Sequence, residues 1–163
     1  MDDFTLHEAL KLAVTTEQIG AKVYTRLAKK FGSEKDIAEV FSQLAQDERA
    51  HESQFQALLD QNPKTGDAPG RFEVDEYLRA TAISEFFKDE AFDNFDKIQE
   101  PADALTRALA MERAALLFYQ AIRDTIGADT ALDAVIEAEK NHLTTLMRVI
   151  LADAKFRGLS DKW

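Results

Sequence analysis

The sequence predicts an all-α fold, a four-helix bundle made of two antiparallel helical hairpins with a long, partly helical crossover between them. Three observations predict it. Four long segments carry apolar residues at the 3.6-residue period of an amphipathic helix. The connections within the first pair and within the second pair are short, which makes each pair an antiparallel hairpin. The connection between the pairs is long enough to run the length of a bundle.

The first helix is expected over about 5–31. Thr5 and Glu8 form a capping box at its start, the stripe is Leu6, Leu10, Ala13, Glu17, Ala21, Tyr24 and Ala28, and Gly32 stops it. The second, about 34–61, has the stripe Ile37, Phe41, Leu44, Glu48, His51, Phe55 and Leu58. The crossover, about 62–100, opens on the breaker-rich stretch DQNPKTGDAPGR. Its part from Glu73 to about Phe92 reads as helical. Phe72, Tyr77, Phe86, Phe87, Phe92 and Phe95 are expected to cover one end or side of the bundle or a subunit interface, which predicts a homodimer or larger homo-oligomer. A helix of this length spans ~40 Å, so a third helix antiparallel to the fourth needs a connection along the bundle. That third helix, about 101–126, begins at Pro101, carries Leu105, Leu109, Glu112, Leu116, Tyr119, Ile122 and Ile126, and ends at Gly127. The fourth, about 130–156, has the stripe Leu132, Val135, Glu139, His142, Leu146 and Val149.

Composition narrows the chemistry. A chain of 163 residues is enough for one core and is expected to form a single domain, 1–163. It has no cysteine, which excludes disulfides, thiolate-held iron centres and thiol catalysis, so any metal must be bound by oxygen and nitrogen. The N-terminus, MDDFTLHEALKLAV, places acidic residues ahead of apolar ones and passes straight into a helical pattern, unlike a signal or transit peptide. No run of about 18 apolar residues points to a membrane span. A cytoplasmic protein is the expectation. The formal charge of −10 argues against binding nucleic acid; it keeps the surface soluble and is compatible with drawing in cations.

The four stripes share an anomaly. Glu17, Glu48, His51, Glu112, Glu139 and His142 interrupt them near their midpoints, on faces that should be buried. Glu48 with His51 and Glu139 with His142 are Glu-x-x-His steps, and a spacing of three puts both side chains on one helix face. An uncompensated buried carboxylate costs several kcal/mol or more and would shift its pKa and neutralise instead. Metal supplies the compensation: four carboxylates balance two divalent cations, and an oxygen-rich set with one imidazole per metal suits iron or manganese. A weak internal repeat reinforces the pairing. EQIGAKVY, from Glu17 to Tyr24, is matched by ERAALLFY, from Glu112 to Tyr119, each followed by a hairpin and a Glu-x-x-His step. The halves read as two copies of one hairpin related by a pseudo-twofold axis through the site.

This constellation resembles the ferritin-like superfamily and within it is most similar to rubrerythrins, through the Glu-x6-Tyr steps and the stretch DERAHE; the resemblance runs from about Thr5 to Ala154. It implies two iron ions, with manganese or zinc as alternatives. Glu48 and Glu139 would bridge them, Glu17 and Glu112 would be terminal ligands, and His51 and His142 would bind one metal each. Tyr24 and Tyr119 would hydrogen-bond to ligand carboxylates and orient them; the alternative is a pair of core aromatics with satisfied hydroxyls.

The sequence departs from the rubrerythrin pattern in two ways. The cysteine-bound rubredoxin iron usual in rubrerythrins is absent, so electrons would come from an external electron-donor protein. Ala115 stands where that family has a further Glu, three residues after the third-helix ligand, and the remaining set is closer to bacterioferritin-type ferroxidase centres. The expected function is therefore a non-haem di-iron oxidoreductase that oxidises Fe(II) with O2 or peroxide. The alternatives are a rubrerythrin-like peroxide reductase, a redox-idle metal-binding or storage bundle, and a helical interaction module with an incidental metal. His7, near a helix start, is expected on the surface. Asp47 and Glu52, about 100° round the helix from the ligands beside them, are expected to be solvated.

Overall fold

The computed structural model describes residues 5–63, Phe95 and residues 97–156. Among them are four long helices, α1 (Leu6–Lys30), α2 (Lys35–Gln61), α3 (Pro101–Ile126) and α4 (Thr130–Phe156). α1 packs on α2 and α3 on α4; α1 also packs on α3 and α2 on α4, and no strand occurs among the described residues. The expected helical stretch from Glu73 to about Phe92, with Phe72, Tyr77, Phe86, Phe87 and Phe92, lies outside the described residues. Phe95 falls within them and is buried with Ile98 in the core of its own chain.

Local chemistry sets the helix ends. The Thr5 hydroxyl accepts from the Glu8 N–H at 3.2 Å while the Glu8 carboxylate accepts from the Thr5 N–H at 2.8 Å, closing the expected capping box. Pro101 opens α3, where its missing N–H costs nothing. Gly127 ends that helix at a φ of 83°, a conformation that disfavours side chains, and its N–H returns to the Arg123 carbonyl. The cap of α4 is Asp129, whose carboxylate accepts from the Leu132 N–H at 2.9 Å. Across the same hairpin Arg123 meets Asp133 at 2.8 Å, a half-exposed pair of small net value.

The stripes read from sequence are the buried faces, with one shift. Along α1, α2 and α4 the residues nearest the midpoint are buried, and Leu6, Ala28 and Val149 at the ends are partly so. On α3, Leu109 and Leu116 are only partly buried, while Ala104, Ala108, Met111, Ala115 and Phe118 join Leu105, Tyr119 and Ile122 in the core. α3 is apolar over most of its circumference, so periodicity alone left its rotation loosely defined.

Two reciprocal sets of contacts give the helix directions. Tyr24 on α1 reaches Glu112 on α3, and Tyr119 on α3 feels the charge of Glu17 on α1. His51 on α2 meets Glu139 on α4, and His142 on α4 meets Glu48 on α2. In each set the residue later on one helix faces the residue earlier on the other, so α1 runs antiparallel to α3 and α2 to α4. The pseudo-twofold axis therefore crosses the bundle rather than running along it. α3 begins at the end of the bundle opposite to where α2 finishes, the connection that the long gap in the sequence calls for.

Candidate metal centre

The six ionisable residues that interrupt the stripes come together at mid-bundle, and every one is at least 95% buried: Glu17 and Glu139 fully, Glu112 at 2%, His51 at 4% and Glu48 and His142 at 5% exposure. They form two groups. Glu17, Glu48, His51 and Glu139 each offer a donor atom within 4.8 Å of the others, and so do Glu48, Glu112, Glu139 and His142. The two carboxylates common to both groups, Glu48 and Glu139, are the acids of the Glu-x-x-His steps. Each histidine turns Nδ1 inward: His51 Nδ1 lies 3.0 Å from Glu139 and 3.6 Å from Glu17, and His142 Nδ1 lies 3.1 Å from Glu112, 3.4 Å from Glu139 and 3.6 Å from Glu48. The imidazole rings face each other with centroids 5.4 Å apart.

These atoms are aimed at shared points more than at one another. Both oxygens of Glu17 and of Glu139, Glu48 Oε1 and His51 Nδ1 are buried without a hydrogen-bond partner, although His51 Nδ1 and Glu139 Oε1 are close enough for one in distance. Orphaned buried donors and acceptors are costly, and native interiors contain few of them. Six on four converging side chains fit a pair of divalent cations, and the oxygen-rich set with one nitrogen in each group suits iron or a related metal.

With no cation present, protons do the neutralising. Burial pushes Glu48 well above the usual carboxylate range, and the charges of Glu17 and Glu112 add to it. Burial, then the charge of Glu139, raises Glu112 to about 8 although His142 pulls the other way. Burial opposes a charge on the histidines, yet Glu139 and Glu17 raise His51 to about 9, and Glu112 and Glu139 raise His142 to about 11. Glu139 is the exception among the shifted acids: burial would raise it, but His142 and His51 together hold it below the ordinary value. Metal binding must therefore expel protons from this cluster.

The flanking residues differ in part from expectation. The Tyr24 hydroxyl donates to Glu112 Oε1, so Tyr24 orients a cluster carboxylate. The Tyr119 hydroxyl is buried beside Glu17, and burial together with that carboxylate raises its pKa, but the two groups lie too poorly aligned for the well-formed hydrogen bond that Tyr24 makes. Asp47, expected to be solvated, keeps 36% side-chain exposure but places Oδ2 3.3 Å from His142 Nε2, the nitrogen that faces away from the cluster. Its partner lies 95 residues away on α4, so nothing local in the sequence marks the contact. Glu52 accepts from Gln18 at 2.8 Å across the first hairpin, and His7 Nδ1 lies 3.0 Å from the Asn62 carbonyl. Gly20, which the apolar stripes do not single out, also belongs to the site. A Cβ there would sit 2.9 Å from Glu48 Oε2, so the missing side chain makes room for a cluster carboxylate. A glycine in mid-helix, at a cost of about 1 kcal/mol relative to alanine, was its signal.

The family model described as Rubrerythrin matches residues 8–150, which covers most of the four helices and both groups of ligand atoms. The chain belongs to the Rubrerythrin family. No curated protein and no solved structure matches it. Family membership and the paired His/Glu groups make this a non-haem di-iron oxidoreductase type of centre, carried on a four-helix bundle. Among the described residues no helix is long and apolar enough to cross a membrane.

Proposed function

We propose that this protein reduces hydrogen peroxide to water with electrons drawn from a separate donor. The observation that carries the reading is the Rubrerythrin match over residues 8–150 to a chain whose two His/Glu groups share Glu48 and Glu139. In this reading two irons would be held by the two groups, one by Glu17, His51 and the shared Glu48 and Glu139, the other by Glu112, His142 and the same two shared acids. Two irons held there would supply the two electrons that, with two protons, convert one peroxide to two waters, and the donor would restore them. The 163 residues contain no cysteine to hold a relay centre, so the donor centre lies outside them.

The chain's own residues have definite tasks. Tyr24 fixes the orientation of Glu112 by donating to Oε1. Gly20 leaves room for the Glu48 carboxylate, which a Cβ at that position would crowd at 2.9 Å. Between α2 and α4 a cavity of about 260 Å³, lined by Asp47, Gln54, Asn141 and both histidines among others, gives a molecule as small as peroxide or O2 a way toward the imidazoles.

Oxidation of Fe(II) by O2 is the second reading, and Ala115 favours it. That buried residue, three positions after Glu112, supplies no carboxylate where the family resemblance expects one. Anaerobic purification, metal analysis and stopped-flow mixing of the Fe(II)-loaded protein with peroxide or O2 separate the readings. Faster reaction with peroxide, and turnover when a reduced rubredoxin-type donor is added, is expected. Faster reaction with O2 transfers the conclusion to Fe(II) oxidation. Two tightly held metals that react with neither would leave a storage or structural bundle.

A further inference from the structure

The two halves of the site match in their ligands and differ behind them. By the internal repeat, Glu48 corresponds to Glu139 and His51 to His142, so the residue before each acid, Asp47 in one copy and Ala138 in the other, occupies an equivalent place. Because the pseudo-twofold axis crosses the bundle, each of these positions faces the histidine of the opposite helix. Asp47 meets that requirement, with Oδ2 at 3.3 Å from His142 Nε2. Ala138 has no polar atom to offer. Both carboxylate contacts of His51, with Glu17 and Glu139, are at Nδ1, and among the described residues no carboxylate reaches its Nε2. Gln54 lines the same cavity with its Oε1 buried and unpartnered, but an amide carries no charge.

We infer that the two metal positions are unequal: Asp47 makes the His142 position the tighter one, so it fills first, and the His51 position fills second and exchanges first. An imidazole bound to metal through Nδ1 carries its proton on Nε2. A carboxylate accepting that proton's hydrogen bond fixes the tautomer and the ring angle and makes the nitrogen at the metal a better donor. Losing such a partner commonly lowers metal affinity by about 10- to 100-fold. Asp47 is partly exposed and at the long end of hydrogen-bond distance, which puts the expected difference near the lower figure. The inference rests on the ligand set proposed above and is independent of the oxidant.

Titration of metal-free protein with Co(II), followed anaerobically by calorimetry and by the visible Co(II) absorption, tests it without recourse to turnover. The native protein should take two ions per chain in two classes about tenfold apart. His142→Ala should abolish the tight class and His51→Ala the weak one. Asp47→Ala should weaken the tight class about tenfold and merge the two, with Asp47→Asn falling between. Ala138→Asp should strengthen the weak class, and the double variant Asp47→Ala with Ala138→Asp should transfer the tight class to the His51 position, so that His51→Ala now removes it. A merely structural role for Asp47 would weaken both classes together and would not be reversed by the exchange; that result overturns the inference. So do two equal sites in the native protein. Fewer than two ions per chain would overturn the dinuclear centre and the inference with it, and the ion count distinguishes that failure from the others.

Discussion

Raising the pH of the metal-free protein from 5 to 7 should lower its melting temperature, whereas the same change should raise that of the metal-loaded protein. Glu112 moves from an ordinary 4.5 to about 8 on folding, chiefly through burial. Between pH 5 and 7 the folded protein keeps this proton and the unfolded chain has released it, so stability falls as pH rises, by about 1.4 kcal/mol per pH unit or roughly 3 kcal/mol over the window. Glu48, also raised well above its ordinary value, acts in the same sense. His51 and His142, raised from 6.5 to about 9 and about 11, contribute stability that is fully present below 6.5 and is lost as pH climbs toward those values. Glu139 has the opposite sign: its lowered pKa gives stability above the ordinary carboxylate value that disappears only in stronger acid, below this window.

A loss of roughly 3 kcal/mol corresponds to a shift on the order of 10 °C for a chain of this size. Metal ligands must be deprotonated to bind, which reverses the slope once ions are present. Calorimetric melts of chelator-treated and Zn(II)-loaded protein at fixed ionic strength measure both slopes. Glu112→Gln, neutral at every pH, should remove its share from the metal-free slope. A metal-free melting temperature that stays level or rises between pH 5 and 7 would refute the buried, proton-compensated cluster.

Four substitutions probe the residues around the cluster. Tyr24→Phe removes the donor to Glu112 and should weaken metal binding about 10- to 100-fold; Tyr119→Phe, whose hydroxyl is poorly aligned with Glu17, should cost less in the same Co(II) titration. Gly20→Ala places a Cβ against Glu48 Oε2, so it should lower the affinity for metal and cost about 1–3 kcal/mol of stability, read by titration and by denaturant unfolding. Ala115→Glu adds the carboxylate that the family resemblance expects, and stopped-flow rates should show peroxide gaining relative to O2; an unchanged ratio would mean that the missing acid does not set the choice of oxidant.

The cluster was legible in the sequence because ionisable residues on an apolar stripe are a strong contradiction with a short list of resolutions. Glu48, His51, Glu139 and His142 declared themselves through spacing, and Glu17 and Glu112 through the repeat. The helix ends were legible for the same kind of reason, since Thr5 with Glu8, Pro101 and Gly127 act locally. Asp47 was not, because its partner lies 95 residues away on another helix, and rotation about its own helix axis points it toward solvent until α4 is in place. The face of α3 was blurred because Ala104, Ala108 and Ala115 carry almost no periodic signal of their own. Gly20 needed the third dimension, since only the position of Glu48 shows what its missing Cβ avoids.

The reciprocal geometry also bears on how the molecule comes apart. Each group of ligand atoms draws on both hairpins: the His51 group borrows Glu139 from the second, and the His142 group borrows Glu48 from the first. Helix contact is richest within each hairpin and thinner between them. The cluster therefore lies on the weakest seam of the bundle, and ions there would act as rivets across it. Stripping them should loosen the seam before it melts either hairpin, so amide exchange should quicken first on the facing sides of α1 with α3 and α2 with α4 while the outer turns stay protected. Two hairpins supplied as separate chains would then have reason to find each other only when the metal is there to be shared.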